Sequence, residues 1–317
     1  MIVGNRCKDE KYPLVSVVVL SYRNIEGLKP TLKSIAAQDY PEVEIVISDD
    51  ATPSFEDAIP MIKEVLLNGG FDLDNLIINS MVENVGTVKN ANAALAMARG
   101  RYIKTISPDD CFATSTSISQ YVEFMQNDGC LVAFAKLCGV NDADERFYNL
   151  ASCEYDYEML RTLSPKETFE KLCARNFLPG AAEFFDRRVF DEYGLFDESV
   201  RLIEDYTYWL HLSKNDVRFG YLDEYLIDYK LSGVSSSGHY SEVFMRDMIA
   251  IYDKYIFPND RRYGFLQPVY NALKQAGLNY YVGEARYEGK KARLALHRLE
   301  YLPFYAYGSI ANRNKKN

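Results

Sequence analysis

No stretch of this sequence strings together the ~18 apolar residues that a membrane-spanning helix needs, so the chain is not expected to be embedded as a helical bundle. Its amino end, MIVGNRCKDEKYP, meets charge before an apolar signal core can form, and export by a signal peptide is not expected either. The six cysteines, at 7, 111, 130, 138, 153 and 173, form no CxxC pair and fall short of the density of a secreted disulfide scaffold. Reduced core thiols and a cytoplasmic setting fit that usage. Basic residues are in deficit, 36 lysines and arginines against 45 acidic residues, for a net charge of −9. That sign excludes a general nucleic-acid binder, although a local site can still take a small anion. Repeats are absent, as is any Pro/Ser-rich linker that would force a domain boundary.

What is present is core-forming material. With 317 residues, 48% of them hydrophobic, the chain can build one large α/β domain or two smaller ones. PLVSVVVLSY reads as a strand buried on both faces, and Leu28, Leu32 and Ile35 then repeat at helical spacing until Pro41. VEIVISDD is a second buried strand, followed by a helix around Ile59 to Leu67 and a Gly69-Gly70 stop. NLIINS, the helix TVKNANAALAMARG and the strand RYIKTIS come next. Such alternation implies βαβ crossovers and a mainly parallel sheet.

In such sheets function gathers at the carboxyl ends of the strands. Three ends here carry polar clusters: SYRN, SDDAT and SPDD. Each alone is compatible with a helix N-cap, but three at one edge point to a shared site. Adjacent carboxylates at a strand end suit a hard divalent cation, which takes oxygen ligands and needs only one or two protein carboxylates beside phosphate oxygens. Such an ion neutralises charge on a phosphate leaving group. Tyr22 and Asp50, at the other two ends, offer a stacking face and a carboxylate for a base N–H, so the three ends together suit a nucleotide.

The order VSVVVLSYRN, EIVISDDAT, ENVGTVKNANAALAMARGRYIKTISPDD and, much later, FDESVRLIEDYTYWLHL resembles the family 2 glycosyltransferases, inverting enzymes of the GT-A fold, over about residues 13 to 236. The resemblance implies a Rossmann-like, mainly parallel nucleotide-binding sheet with a C-terminal helical extension. It divides the chain into residues 1–240, with a donor half about 13–112 and an acceptor half about 113–240, and a helical region 241–317. It implies a donor site of Ser21, Tyr22, Asp50, Asn84, Gly86, Lys89 and Asp109, with Asp50 recognising the base, Tyr22 packing on it and Lys89 approaching phosphate or base. Asn92 is expected to be structural. Mg²⁺ or Mn²⁺ is expected on Asp110 or Asp109, with Asp110 preferred. Asp205 of the ED pair matches the general base; Glu204, Gly180 and Ala181 fall on the acceptor side. An inverting transfer needs such a carboxylate beside the acceptor hydroxyl, opposite the departing diphosphate. Without the resemblance, Glu204 and Asp205 read as helix-dipole complements.

The implied reaction moves a hexosyl or N-acetylhexosaminyl group from a nucleotide-diphosphate donor, UDP before others, to a saccharide or lipid-linked hydroxyl, as in bacterial polysaccharide assembly. The sequence departs from the family pattern at Ser107, where a further aspartate is common, and at YKLSGVSSS. There Lys230 replaces an arginine and Ser232 stands about where a metal-binding histidine is frequent; His239 is the nearest histidine. A nucleotidyltransferase is one alternative, but SYRNIEGLK lacks the Gly-rich basic phosphate loop expected after its first strand. A non-catalytic nucleotide- or glycan-binding relative is the other.

Further along, CLVAFAKLCGV reads as a strand, and the polar run from Asn141 to Leu160 as an excursion over the site. Ser164, Pro165 and Glu167 open a capped helix. FLPGAAEFFDRRVFDEYGLFDESV has strand and turn character, EDYTYWLHLSKND reads as a helix with Trp209 in the core, and FGYLDEYLIDYKLS as the last strand. The C-terminal part is basic and aromatic. Packing on the main domain is one reading; the other is an interfacial segment at the inner face of the membrane. In the latter, Lys290, Lys291, Arg293 and Arg298 meet anionic lipid while Leu294, Tyr301, Phe304 and Tyr305 dip in.

Overall fold

Val15, Val17, Val18 and Val19 are completely buried, as a strand covered on both faces requires. In the computed structural model of the protein, which describes residues 12–148, 157–231 and 241–302, this run is β1 (Val15–Ser21). Asn24 then caps α1 (Ile25–Ala36) by accepting the Gly27 N–H. There follow β2 (Val43–Asp49), α2 (Ile59–Asn68), β3 (Leu76–Ser80), α3 (Thr87–Met97) and β4 (Tyr102–Ile106). β1, β2, β3 and β4 pair in parallel, and the register that sets Ser21 opposite Asp49 brings their carboxyl ends level.

The second half completes the sheet with β5 (Cys111–Phe112), α4 (Ser117–Asp128), β6 (Val132–Val140), β7 (Arg146–Phe147), α5 (Pro165–Ala174), β8 (Glu183–Asp186), α6 (Arg188–Tyr193), α7 (Glu204–Lys214) and β9 (Phe219–Lys230). The strand order is β3-β2-β1-β4-β8-β6-β9-β5, with β7 on β6. β8 runs antiparallel to both neighbours, so the sheet is parallel in its donor half and mixed beyond β4. Ser164 and Glu167 form the expected capping box of α5. RVFDEY, in a segment read as strand and turn, is instead helical as α6, with Val189 and Phe190 buried.

α8 (Glu242–Ile251) continues through a π-helical turn, Tyr252–Ile256, toward α9 (Gln267–Arg286) and α10 (Lys291–Glu300). One hydrophobic cluster joins Trp209 and the sheet to Met245, Ile251, Tyr252 and Ile256, so the core crosses the boundary expected near residue 240. α9 and α10 close on each other through His297, whose ring stacks on Tyr280. A Cβ at Gly283 would fall 2.0 Å from that ring, so only glycine allows the approach. Among the described residues, no helix is long and apolar enough to cross a membrane.

Candidate active site

The ends of β1, β2 and β4 meet as expected, and each carries a non-glycine residue with positive φ: Arg23 at 53°, Ala51 at 60° and Asp109 at 78°. Strain of this kind persists only where surrounding contacts over-determine it. At β4 those contacts come from α1. Asn24 donates to Asp109 Oδ2 at 2.7 Å, the Asp109 N–H donates to the Gly27 carbonyl at 3.0 Å, and the Thr31 hydroxyl lies 2.8 Å from the Asp110 carbonyl. A Cβ on Gly27 would stand 2.7 Å from the Asp109 carboxyl group, so glycine is what lets the SPDD turn rest on the helix start. Asn24 therefore caps a helix and orients an acidic side chain at once, a double role that its place in SYRN did not reveal.

Asp110 is buried and accepts the Lys230 N–H at 2.9 Å. Burial pushes its carboxyl up to about 7, against the pull of that N–H and of the Lys104 ammonium. Two neighbouring oxygen donors, one of them short of solvent, fit a hard cation that also takes phosphate oxygens. Among the described residues no group of three or more His, Cys, Asp and Glu side chains adds to them. Lys230, matched in sequence to a family arginine, contributes its backbone here: its ammonium is turned to the Asn141 carbonyl at 2.9 Å. Ser232 and His239 lie outside the described residues.

Asp50 is almost fully buried, and its carboxylate takes N–H groups from Val85 at 2.7 Å, Gly86 at 2.9 Å and the Asn84 amide at 2.8 Å. Each hydrogen bond to a charged group is worth about 1.5–3 kcal/mol, so Asp50 fixes the Asn84–Gly86 loop before it meets any ligand. Asp49 accepts from the Thr52 backbone and hydroxyl, and Thr52 accepts the Arg23 N–H, which stitches β1 to β2. Tyr22 is 44% exposed, with the Arg23 guanidinium 5.2 Å from its ring centre. The Ser21 hydroxyl is buried without a partner, and its carbonyl receives the Asp50 N–H. Lys89 is exposed on the first turn of α3. Asn92 is structural, as expected, making a bond in each direction with the Phe196 backbone.

Glu204 and Asp205 open α7. Asp205 accepts the Tyr206 N–H at 2.6 Å and the Asn176 amide at 3.3 Å. Gly180 lies so close that a Cβ there would be 3.0 Å from Asp205 Oδ2, with Ala181 next in the same loop. Burial raises both carboxyls, and the charge of Asp205 raises Glu204 further. Trp209 is fully buried between Phe134 and Phe185, the core role expected of it.

Sequence reasoning passed over a buried ion pair, Lys104 on β4 with Glu183 on β8 at 3.2 Å. After burial, which dominates in both, the charge of Glu183 adds to the raising of Asp110 and of Glu204. A lysine in the middle of an otherwise apolar strand was the available signal.

The model of glycosyl transferase family 2 matches residues 16–194. The chain belongs to that family. This glycosyltransferase is 24% identical over 224 residues to an uncharacterized glycosyltransferase of Methanocaldococcus jannaschii, covering 69% of this chain and 71% of the relative. It is 30% identical over 125 residues to the Escherichia coli UDP-Glc:alpha-D-GlcNAc-diphosphoundecaprenol beta-1,3-glucosyltransferase WfaP, covering 38% of this chain and 45% of that enzyme. Among solved structures, S. aureus TarS in complex with UDP-GlcNAc aligns over 95% of the glycosyltransferase and 92% of its own chain, at 18% identity and a TM-score of 0.59. The mannosyltransferase PcManGT from Pyrobaculum calidifontis, in complex with GDP-Man and Mn²⁺, aligns over 93% and 84% at 17% identity, with a TM-score of 0.57. These likenesses establish the GT-A type fold.

Proposed function

We propose that the glycosyltransferase transfers a hexosyl or N-acetylhexosaminyl group from a nucleotide-diphosphate donor, UDP before others, to a saccharide or lipid-linked hydroxyl, with inversion and with Mg²⁺ or Mn²⁺ bound. The observation that carries this reading is two acidic pairs held on separate elements: Asp109 with Asp110 after β4, fixed by Asn24 and the Lys230 N–H, and Glu204 with Asp205 at the start of α7, against Gly180. Opposite-face attack calls for two carboxylate stations on separate elements. The UDP-GlcNAc, GDP-Man and Mn²⁺ bound to the structural neighbours, and the lipid-linked acceptor in the name of WfaP, support the donor and acceptor classes.

In this reading Tyr22 covers the base, Asp50 and the Asn84–Gly86 loop border it, Lys89 reaches toward phosphate, and Asp109 and Asp110 hold the cation. When bound, that cation supplies positive charge to the departing diphosphate. Asp205, raised by burial against the opposing pull of the Tyr206 and Asn176 donors and so a stronger base than an exposed aspartate, takes the proton of the acceptor hydroxyl as that oxygen bonds to the anomeric carbon. The bond to the diphosphate breaks and its electron pair leaves with the nucleotide. Glu204 keeps its own proton beside this charge, and Gly180 with Ala181 leaves the backbone open to the acceptor. The exposed Lys290, Lys291 and Arg293 of the C-terminal hairpin would set the enzyme against an anionic membrane surface on the cytoplasmic side.

Thermal shift with UDP-, GDP- and dTDP-sugars, with and without Mn²⁺, tests the donor reading, because a bound donor stabilises the fold by mass action. The expected result is a Mn²⁺-dependent rise that Asp110→Asn removes. A rise that is the same without metal and in Asp110→Asn would contradict it.

A further inference from the structure

The turn that leads into α7 is gripped from two directions. From the C-terminal side, buried Asp247 on α8 accepts the N–H groups of Arg201 at 3.0 Å and Leu202 at 2.6 Å on one carboxylate oxygen. From the nucleotide side, the Arg201 carbonyl accepts the Val88 N–H at 3.1 Å, and the Arg201 guanidinium donates to the Asn84 carbonyl at 2.6 Å and to the Asn84 side-chain oxygen. Asn84 passes the contact on to Asp50. The packing is direct: Gly86 has φ +92°, and a Cβ on it would lie 2.4 Å from Arg201 Cγ and 2.7 Å from the Arg201 carbonyl. Three residues after Arg201, α7 begins with Glu204 and Asp205.

We infer that Arg201 and Asp247 are positioning residues that tie the Asn84–Gly86 loop to the start of α7, so that nucleotide binding and the placement of Asp205 are coupled. One guanidinium nitrogen, Nη2, donates to both Asn84 oxygens, and the planar head holds it there with less loss of freedom than a lysine ammonium on its flexible stem would suffer. Asp247 sets the height of the turn through backbone groups alone. The C-terminal helices thereby act on the catalytic end of the molecule without lining it. This inference rests on the proposed donor site, whose border the Asn84–Gly86 loop forms.

The test is calorimetry of UDP with Mn²⁺ alongside steady-state nucleotide release and amide hydrogen exchange, for wild type, Arg201→Ala, Arg201→Lys and Asp247→Ala. Arg201→Ala, at an exposed side chain, is expected to fold, to weaken UDP binding about 10-fold and to lower kcat about 10-fold, within the usual range of coupling between sites. Arg201→Lys should recover only part of both losses. In Asp247→Ala, exchange at the Val85 and Gly86 amides should quicken although Asp247 accepts from neither. Unchanged UDP affinity and kcat in Arg201→Ala, or unchanged exchange at Val85 and Gly86 in a folded Asp247→Ala, would overturn the coupling. If wild type binds neither UDP nor GDP with Mn²⁺, the donor-site reading falls, and this inference with it.

Discussion

Gly27 has no room for a side chain, since a methyl group there would press on the Asp109 carboxyl at 2.7 Å. Gly27→Ala is therefore expected to keep the fold but to weaken Mn²⁺-dependent nucleotide binding about tenfold or more, corresponding to about 1.4 kcal/mol or more, read by calorimetry. Gly86→Ala would disturb the Asp50 loop instead, because both its φ and the Arg201 contact forbid a Cβ. The acidic pair on α7 makes a separate prediction about pH. Glu204 is raised above its ordinary value of 4.5 by burial and then by Asp205. A carboxyl raised by folding holds its proton more tightly in the native chain, so its stabilising contribution is full below the unfolded value and is lost as pH climbs toward the native one. Stability should thus decline between about pH 5 and about pH 8, and Asp205→Asn, by removing the adjacent charge, should flatten that decline in urea midpoints. A decline equally steep in the variant would show that Asp205 is not what raises Glu204.

Among the elements, β1, β2 and β4 were legible because strands buried on both faces read as mostly apolar runs, broken by buried polar residues such as Ser16, Glu44 and Lys104, whereas polar clusters gather where the runs end. Tyr22, Asp50, Asp109 and Asp110 stood out for that reason. Arg201 and Asn176 did not, since each acts through a partner far away in sequence and neither interrupts a pattern. Nor did Ser21 show that its hydroxyl faces inward: alternation says which side of a strand a residue takes, not how deep the sheet edge lies. Lys104 was visible as an anomaly but its partner was not, because Glu183 sits in a segment whose strand is only Glu183–Asp186. Removing one member of a buried pair leaves a bare charge, at a cost of about 3–5 kcal/mol, whereas replacing both by apolar residues is often neutral. Lys104→Met alone should thus lower unfolding stability by about that amount, and Lys104→Met with Glu183→Leu should recover most of it. If the double variant is as unstable as the sum of the singles, the two residues do not act as a pair.

At the scale of the molecule, the C-terminal helices share the core with the sheet. The hairpin of α9 and α10 presents a face different from the one its sequence suggested. Arg298 is paired to Glu284 at 2.7 Å, the Tyr301 ring lies tilted against His297 and Leu294 is half-buried. Phe304 and Tyr305 lie outside the described residues. On the α10 side of the hairpin, Leu296, Leu299 and Leu302 are open, at 69%, 68% and 53% exposure, with Lys291 and Arg293 exposed on the same helix. Three leucines at successive turns with lysine and arginine on the same helix suit an anionic lipid surface. Co-sedimentation should show binding to vesicles containing phosphatidylglycerol, little to pure phosphatidylcholine, and a loss of about tenfold in a Leu296→Glu, Leu299→Glu variant that still turns over soluble acceptor. Equal binding to both vesicle types would remove the membrane from the account.

In the proposed mechanism the two acidic pairs divide the work, Asp109 and Asp110 holding the donor end and Asp205 accepting the proton. Steady-state release of nucleoside diphosphate in the presence of Mn²⁺ and acceptor, measured across donor concentrations for wild type and Asp205→Asn, tests it most directly. The prediction is a fall in kcat of about 10²–10⁴-fold with the donor KM nearly unchanged, the signature of a lost general base. Turnover by Asp205→Asn at the wild-type rate would contradict the account.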